Sequence, residues 1–275
     1  MNMGWLESLI YGLFSGISEF LPISSSAHQQ ILMHLFGIDA RDPVRDFIVH
    51  AAMLIAAYMA CRSFWDTVKR ETLYAGRRQY ANQQNFRVLH DKRLIQSAIL
   101  PMLISMFFIR YVLNIKDNLL LVSFLLVING VILFLPDRMV QGNKDARFMS
   151  TLDSVLIGCS GALSAFSGIS RIGCTYGVAI ARGAAKRHAL AWSLILSIPA
   201  LVCVCIMDFI AFFSVEVIGF WSSFFTYILS GVMAYIGSYI AISFMRFLTA
   251  RPSSSFAYYC WGVSLFSFVL YLTIG

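Results

Sequence analysis

The chain has 275 residues, of which 59% are hydrophobic and 13% are charged, and its formal net charge is +7. This composition argues against a soluble globular protein and leaves no room for a large soluble domain. We therefore expect an all-α integral membrane protein that crosses the bilayer several times. No nucleic-acid partner is expected, because the basic residues lie in short loops between apolar segments, where they report membrane topology.

The first apolar stretch is broken by polar residues. Residues 4–14 and 23–36 are each too short to span a bilayer, which takes about 20 helical residues. The polar residues near the break are Glu19, Pro22, Ser24, Ser25, Ser26 and His28. Non-helical backbone at membrane depth is tolerated only where protein packs around it or where it lines a wet cavity. The sequence therefore predicts a re-entrant hairpin that is broken at residues 19–26 and whose ionisable residues mark a functional site.

The later segments predict the spans. Six of them are long and apolar enough, at 47–64, 94–115, 119–135, 189–213, 220–248 and 256–274. A strongly basic loop is predicted at 62–93. Residues 150–185 repeat the broken pattern, with two short apolar halves on either side of a polar break at 167–175. Together these segments predict a single transmembrane domain over residues 1–275.

A five-residue phrase occurs at both breaks. Residues 14–18 read Phe-Ser-Gly-Ile-Ser, and residues 166–170 read the same. Glu19 follows the first copy and Arg171 follows the second. Interrupted hydrophobic segments at matching places in two halves point to a binding site in membrane proteins built from inverted repeats. We therefore predict two inverted-topology repeats, about 1–136 and 150–275, whose re-entrant hairpins bring Glu19 and Arg171 together in one site.

The basic residues also give an orientation. Most of them fall at 62–93, 136–149, 182–187 and 246–251, which the order of the helices places on one side of the membrane. The positive-inside rule assigns this side to the cytoplasm, so both termini are expected outside. The two hairpins then enter from opposite faces, as inverted repeats require. The N-terminus lacks the positive region of a signal peptide, and no cleavage is expected.

The residue types at the two breaks suit an anionic phosphate ligand. They are Glu19, Ser24, Ser25, Ser26, His28, Arg171 and Thr175. A buried arginine needs an anion, and its planar fork matches phosphate oxygens. A serine beside a histidine can be an activated nucleophile, and hydroxyls with helix N-termini form an anion cradle. A glutamate can orient the histidine, act as a base or hold a divalent cation.

Structural interpretations exist for the same residues. Glu19 and Arg171 could be an ion pair that only joins the hairpins. The serines could only cap the helix that starts near Ala27, and a lone histidine such as His28 is more often a satisfied core residue. Convergence of all these residue types at two related breaks favours the functional interpretation.

Other residues of the apolar segments receive structural roles. His50 is interpreted as structural, and Asp208 is left unassigned. The glycines at 12 and 16 and at 173 and 177 are interpreted as helix contacts. The six cysteines lie mostly in apolar runs without metal-type spacing, so we expect small core residues and no disulfide framework.

Four stretches resemble a known family, the undecaprenyl-pyrophosphate phosphatases, or bacitracin-resistance phosphatases. Residues 19–28 resemble the family signature Glu-Phe-Leu-Pro-Val-Ser-Ser-Thr-Gly-His, and residues 167–175 resemble Pro-Gly-x-Ser-Arg-Ser-Gly-x-Thr. The helix around His50 is similar to the family's His-Leu-Gly helix. Residues 192–200 resemble Phe-Ser-Phe-Leu-Leu-Ser-Ile-Pro-Ala. The matches follow the family order over most of the chain.

The resemblance implies a bacterial inner-membrane enzyme that removes the terminal phosphate of a polyprenyl pyrophosphate and so recycles the cell-wall lipid carrier. It implies Ser25 as the nucleophile, His28 as its proton-transfer partner and Arg171 as the pyrophosphate clamp. Glu19 becomes an essential carboxylate and the expected metal ligand. The implied substrate contacts are Ser24, Ser26, Ser170, Thr175, Gly168 and Gly173.

One departure from the family pattern bears on the cofactor. The family has a second carboxylate, or Gln, four residues before the position of Glu19, where this chain has Ser15. The divalent cation that the resemblance implies, Mg²⁺ or Ca²⁺, is therefore an open expectation. A direct attack by water and a flippase that moves polyprenyl phosphate without cleaving it remain alternatives. The expected partners are the polyprenyl pyrophosphate lipid and the bilayer, and a homodimer is left open.

Overall fold

The structure is a computed structural model, and it describes residues 3–38, 42–75, 83–109, 118–140, 142–144, 148–213, 220–247 and 253–274. These residues contain the α-helices α1 Trp5–Phe20, α2 Ser25–Leu35, α3 Pro43–Ala60, α4 Arg62–Ala75, α5 Gln83–Phe107, α6 Leu119–Phe134, α7 Thr151–Ala162, α8 Arg171–Ala181, α9 Lys186–Phe213, α10 Phe220–Phe247 and α11 Ser254–Ile274. Across this part of the chain only an isolated bridge between Lys144 and Ala184 has β character. The predicted all-α fold is confirmed.

Five stretches are long and apolar enough to cross a membrane. They are Pro43–Ala60, Leu119–Arg138, Lys186–Phe213, Ser223–Phe247 and Ser254–Thr273. These confirm a polytopic membrane protein. The span predicted at 94–115 is described only as far as residue 109 and is not among the five. The loop charges at Arg41, Arg110 and Lys116 lie outside the described residues, and the predicted orientation stays a prediction.

The first hairpin is broken within the predicted stretch, residues 19–26, although α1 extends beyond the apolar half at 4–14. α1 continues through Glu19 to Phe20 and does not stop near residue 14. A single carboxylate is tolerated in this helix because its charge is paired with Arg171. The backbone turns at residues 21–24, around Pro22, and α2 begins at Ser25 with Ser24 as its N-cap.

The second hairpin is broken as predicted, but its break lies at 163–170, before the predicted 167–175, because residues 171–175 already belong to α8. α7 ends at Ala162, a short 3-10 turn follows at Leu163–Ala165, and α8 begins at Arg171. Ser150 and Asp153 form a capping box at the start of α7. The Ser170 hydroxyl caps α8 by accepting a hydrogen bond from the Gly173 amide at 3.2 Å.

The basic region 62–93 was predicted as a loop, and this was wrong for most of its length. α4 occupies Arg62–Ala75 and α5 already begins at Gln83. The many charged residues favoured a loop in the prediction, but α4 is an amphipathic helix in which Phe64 and Trp65 pack against the core. Arg62 and Asp66 form an i,i+4 ion pair at 3.6 Å on the opposite side.

The helices pack in matching pairs. α1 packs on α10 and α7 packs on α5, while α3 meets α9 and α6 meets α11. The α1–α10 contact is very close, because a Cβ on Gly12 or Gly16 would overlap the carbonyls of Ser230 or Ala234. These two glycines are therefore helix contacts, as predicted. The cysteines are free thiols, as expected.

Candidate active site

The tips of the two hairpins are joined by direct hydrogen bonds. The Ser24 hydroxyl accepts a hydrogen bond from the amide of Gly168 at 3.1 Å, across 144 residues of sequence. Asn129 of α6 lies behind both tips and contacts each of them. Its Nδ2 donates to the Pro22 carbonyl at 3.0 Å, and its Oδ1 accepts from the Ser170 amide at 2.9 Å. One buried amide therefore fixes the two tips relative to each other.

The tips also carry unusual backbone conformations. Among the described non-glycine residues, Ser24 alone has a positive φ, at +69°. Such a conformation costs about 1–3 kcal/mol and persists only where surrounding contacts hold it. Gly168 has φ +125°, and a Cβ there would overlap the side chain of Leu125. These two residues shape the turns that direct Ser25, which follows Ser24, and Ser170, two residues after Gly168, toward the interior.

A polar cavity of ≈ 140 Å³ lies where the tips meet the long helices. Its polar lining comes from Ser18, Glu19, Ser25, Ser26, Gln29, His50, Ser164, Ser167, Ser170, Arg171 and Asp208. Apolar side chains from α5 and α9 complete the wall, among them Met106, Leu201 and Met207. A polar cavity of this volume inside a membrane protein, with a carboxylate and a guanidinium in its wall, is suited to a small charged ligand group.

Arg171 and Glu19 meet in this cavity, as predicted. Arg171 Nη2 donates to Glu19 Oε1, and the two side chains are only 7% and 12% exposed. Arg171 Nε is buried and has no hydrogen-bond partner in the structure. The ion pair therefore uses only part of the guanidinium. The remaining donors, in a low-dielectric site, favour binding of an additional anion.

Ser25 lies at the first position of α2, with its hydroxyl in the cavity. Its Oγ is 3.4 Å from the Ser15 carbonyl, to which it donates, and it accepts from Gln29 Nε2 at 3.4 Å. Both bonds are long, so the hydroxyl is weakly held and can turn toward a ligand. The positive end of the α2 dipole lies beside it and favours an anion there.

His28 points away from the cavity. Its Nδ1 is 2.7 Å from the Ser24 carbonyl, and its Nε2 is 2.9 Å from the Tyr259 hydroxyl. Both ring nitrogens are thus engaged, and no contact with the Ser25 hydroxyl is present. The ring instead faces an apolar cavity of ≈ 410 Å³ lined by α1, α2, α10 and α11. Proton exchange between His28 and Ser25 stays a prediction.

The other predicted substrate contacts divide into two groups. Ser26 and Ser170 line the cavity. The remaining four, Ser24, Gly168, Gly173 and Thr175, support the tips from outside it. Thr175 is fully buried, and its hydroxyl oxygen lies 2.9 Å from the Arg171 carbonyl and 2.8 Å from Ser193 Oγ. It fixes the first turn of α8 and is not in the cavity lining.

The residues present do not fit a resident divalent cation. Within the described chain, no group of three or more His, Cys, Asp and Glu side chains is arranged to hold a metal ion. The Glu19 carboxylate is already bound by Arg171, and position 15 offers a buried hydroxyl without a partner. Hard cations need several oxygen ligands, which this donor set does not converge. The reaction proposed below therefore uses only side chains of this chain, and the divalent cation expected from the sequence stays untested.

Four residues of the site were missed from sequence. Asn129 and Gln29 carry no pattern that separates them from other polar residues in apolar helices. Asp208 and His50 do carry a signal, because each is a titratable residue within a span. They lie 158 residues apart in the chain, so the sequence did not indicate that they form a pair.

Comparison with known proteins identifies similar chains over the whole length. The family model described as "Bacitracin resistance protein BacA" matches residues 8–266. "Undecaprenyl-diphosphatase 3" of Bacillus cereus is 28% identical over 272 residues, covering 98% of this chain and 99% of that protein. "Undecaprenyl-diphosphatase" of Prochlorococcus marinus is 29% identical over 266 residues, with 94% and 96% covered. That of Carboxydothermus hydrogenoformans is 28% identical over 267 residues, with 94% of each chain covered.

Proposed function

The chain belongs to the bacitracin resistance protein BacA family, and from this premise we propose that it is a membrane phosphatase. Its substrate is undecaprenyl pyrophosphate, and its products are the lipid monophosphate and inorganic phosphate. Curated relatives carrying the name undecaprenyl-diphosphatase support this activity. The observation that carries it in this chain is the polar cavity that places Arg171, with an unpartnered Nε, beside the Ser25 hydroxyl.

Two neighbouring cavities match the two halves of such a lipid. The polar cavity suits the pyrophosphate. The apolar cavity on the other side of α1 suits the isoprenoid chain, and its lining includes Phe14, Ile17, Leu21, Ile23, Phe244 and Phe256. Ser18 lines both cavities. A lipid could therefore place its head among the hairpin tips while its tail remains in apolar surroundings.

The reaction transfers the terminal phosphoryl group to Ser25 and then to water. The Ser25 oxygen forms a bond to the terminal phosphorus, and the bond from that phosphorus to the bridging oxygen breaks. The electron pair leaves with the lipid monophosphate, and the Ser25 proton passes to a base. Water then cleaves the phosphoserine, releases inorganic phosphate and returns a proton to Ser25. Arg171 offsets the charge that develops on the phosphate oxygens.

Glu19 and His28 act on this reaction from different places. Glu19 holds the guanidinium of Arg171 in one orientation, which a buried charge-assisted hydrogen bond does well. His28 binds the carbonyl of the strained residue Ser24, directly before the nucleophile. Its described contacts favour a positioning role, in which it holds the turn that presents Ser25.

In the cell, this activity belongs to the inner membrane of a bacterium, where it recycles the polyprenyl carrier of cell-wall synthesis. Both termini lie outside in this proposal, because the basic segments lie in the cytoplasm. The family's connection with bacitracin resistance follows the same logic, since an enzyme that consumes the lipid pyrophosphate lowers its concentration.

The test is phosphate release by the detergent-purified chain given undecaprenyl pyrophosphate. We expect inorganic phosphate and lipid monophosphate to appear in equal amounts, and both to be lost in Ser25→Ala. Ser63→Ala is the matched control, because Ser63 is exposed on α4 and is not part of the cavity lining. Folded protein that binds the lipid without releasing phosphate would overturn the proposal and favour a flippase.

A further inference from the structure

His50 and Asp208 form a hydrogen-bonded pair that the reaction described above does not use. His50 lies in α3 and Asp208 in α9, and His50 Nδ1 is 2.7 Å from Asp208 Oδ2. Their side chains are 11% and 19% exposed. Both residues line the cavity that contains Ser25 and Arg171. A buried titratable pair that opens onto a reaction cavity is a candidate for proton transfer.

The pair leaves one ring nitrogen available. Asp208 binds Nδ1, which fixes the proton of the neutral ring on that nitrogen and leaves the lone pair on Nε2. In the described chain the hydrogen bond to Asp208 is the one found for the His50 ring. A carboxylate that holds a histidine in this way both orients the ring and stabilises the imidazolium that forms when Nε2 takes a proton.

Other groups near the nucleophile are less suited to accept its proton. The Glu19 carboxylate is already engaged in the ion pair with Arg171. Both nitrogens of His28 are engaged by Ser24 and Tyr259, outside the cavity. Position 15 carries a hydroxyl in place of a carboxylate. His50 is the histidine that both lines the cavity and keeps a nitrogen for the reaction.

We propose that His50 is the proton acceptor of this phosphatase and that Asp208 is its positioning residue. The inference rests on the proposed function. When Ser25 attacks the terminal phosphorus, its proton moves to His50 Nε2, directly or through one water molecule. His50 Nε2 then releases this proton to the medium. In the second step it takes a proton from the water that attacks the phosphoserine, and it gives that proton to the Ser25 oxygen as the bond from phosphorus to that oxygen breaks. Charges that act on His50 come from Asp208, Asp46 and Glu19, with Arg171 across the cavity.

The test compares His50→Gln and Asp208→Asn with the wild-type chain, in detergent, on undecaprenyl pyrophosphate. General-base catalysis contributes about 10²–10⁴-fold, so we expect kcat to fall by that factor in His50→Gln while KM changes little. Asp208→Asn should lower kcat as well, and the double variant should lose no more than His50→Gln, since the two act as a unit. His34→Gln is the matched control, because His34 is exposed and outside the cavity.

Chemical rescue separates catalysis from folding. In His50→Ala, added imidazole should restore part of the lost kcat, because it can occupy the emptied place and accept the proton. A structural role would give no rescue. Wild-type kcat in His50→Gln, or loss without rescue in folded His50→Ala, would overturn this inference alone. Absence of phosphate release by the wild-type chain would instead overturn the proposed function, and this inference with it.

Discussion

Arg171 combines two functions that the sequence could not separate. Its Nη2 binds Glu19, which agrees with a purely structural ion pair. Its Nε, however, is buried without a partner in the structure, and an unsatisfied donor of a charged group costs about 1–3 kcal/mol or more. A phosphate oxygen would satisfy it. The residue types at the breaks predicted this anion site, whereas the unused donor is visible only in three dimensions.

Replacing Arg171 with lysine tests the planar fork. Arg171→Lys keeps the positive charge. A lysine ammonium lacks the planar fork of donors, so it cannot bind Glu19 and present further donors to phosphate in the same geometry. Loss of one oxyanion donor costs about 10²–10³ in rate, so we expect kcat/KM for phosphate release to fall by that factor. The control is Arg182→Lys, whose arginine pairs with Asp153 outside the cavity. Equal activity of Arg171→Lys and wild type would contradict the clamp.

Ser24 is the residue where local strain and function meet. Ser24→Ala keeps the positive φ but removes the hydroxyl that accepts from Gly168 and from Ala27. We expect a loss of about 1–3 kcal/mol in unfolding free energy, because a buried amide loses its acceptor. Thermal unfolding in detergent measures this, with Ser26→Ala beside it as a neighbouring hydroxyl that contacts only Ser24 Oγ at 3.4 Å. A larger effect in Ser26→Ala would refute the role given to Ser24.

At the scale of the helices, α6 acts as the clamp of both hairpins. Asn129 contributes two hydrogen bonds, one to the carbonyl of Pro22 and one to the amide of Ser170. The residue is completely buried. No hydrophobic side chain of similar size can replace these contacts, because the two backbone groups would remain unpaired.

Asn129→Leu should therefore separate the tips. We expect a loss of roughly 2–5 kcal/mol in stability, since two buried backbone groups lose their partners, and a fall in phosphate release from the protein that remains folded. Thermal melting and the release assay together measure both. Ser123→Ala is the matched change in the same helix, because its hydroxyl bonds only the Leu120 carbonyl one turn earlier. An Asn129→Leu variant with the stability and kcat of wild type would contradict the role of Asn129 in holding the two hairpin tips together.

The elements show what hydrophobic pattern can and cannot predict. The helices α3, α6, α9, α10 and α11 were predicted within a few residues, because burial in lipid leaves a strong signal, whereas α5 begins well before the span predicted at 94–115. The end of α1 was predicted too early. The helix can continue through Glu19 because this residue pairs with Arg171, which lies 152 residues away in the sequence and is not part of the local pattern. α4 was missed because its mean composition is polar, although Phe64 and Trp65 pack inward. The partners of His50 and Asn129 were not predicted either, because they also lie far away in the sequence.

Across the whole molecule, the helix contacts have the form that two inverted repeats would produce. If α1, α3, α5 and α6 correspond to α7, α9, α10 and α11, the α1–α10 pair maps onto the α7–α5 pair. The α3–α9 and α6–α11 pairs then lie across the axis that relates the halves. The repeats predicted from the shared phrase at 14–18 and 166–170 stay a prediction, with which these contacts are consistent.

The orientation predicted from the basic segments can be tested directly. With the basic segments inside, the C-terminus after α11 lies outside the cytoplasm. We expect an alkaline phosphatase fused to the C-terminus to be active in a bacterial host. A fluorescent protein fused to the C-terminus in a separate fusion should be dark, because it would lie outside the cytoplasm. A fusion after residue 140, in the segment that follows α6, should give the opposite pair of results. Fluorescence at the C-terminus with an inactive phosphatase fusion would reverse the assigned orientation.

The most direct test of the central claim is phosphate release from undecaprenyl pyrophosphate in the presence of EDTA. The claim is that side chains lining one cavity, which both hairpin tips build, cleave the pyrophosphate of the lipid. We predict that the purified chain keeps its activity in EDTA, because Ser15 and the bound Glu19 do not form a cation site. Ser25→Ala and Arg171→Ala, one from each hairpin, should each lose at least about 10²-fold in kcat. Activity that EDTA abolishes and Mg²⁺ restores, or that survives either substitution, would contradict the account.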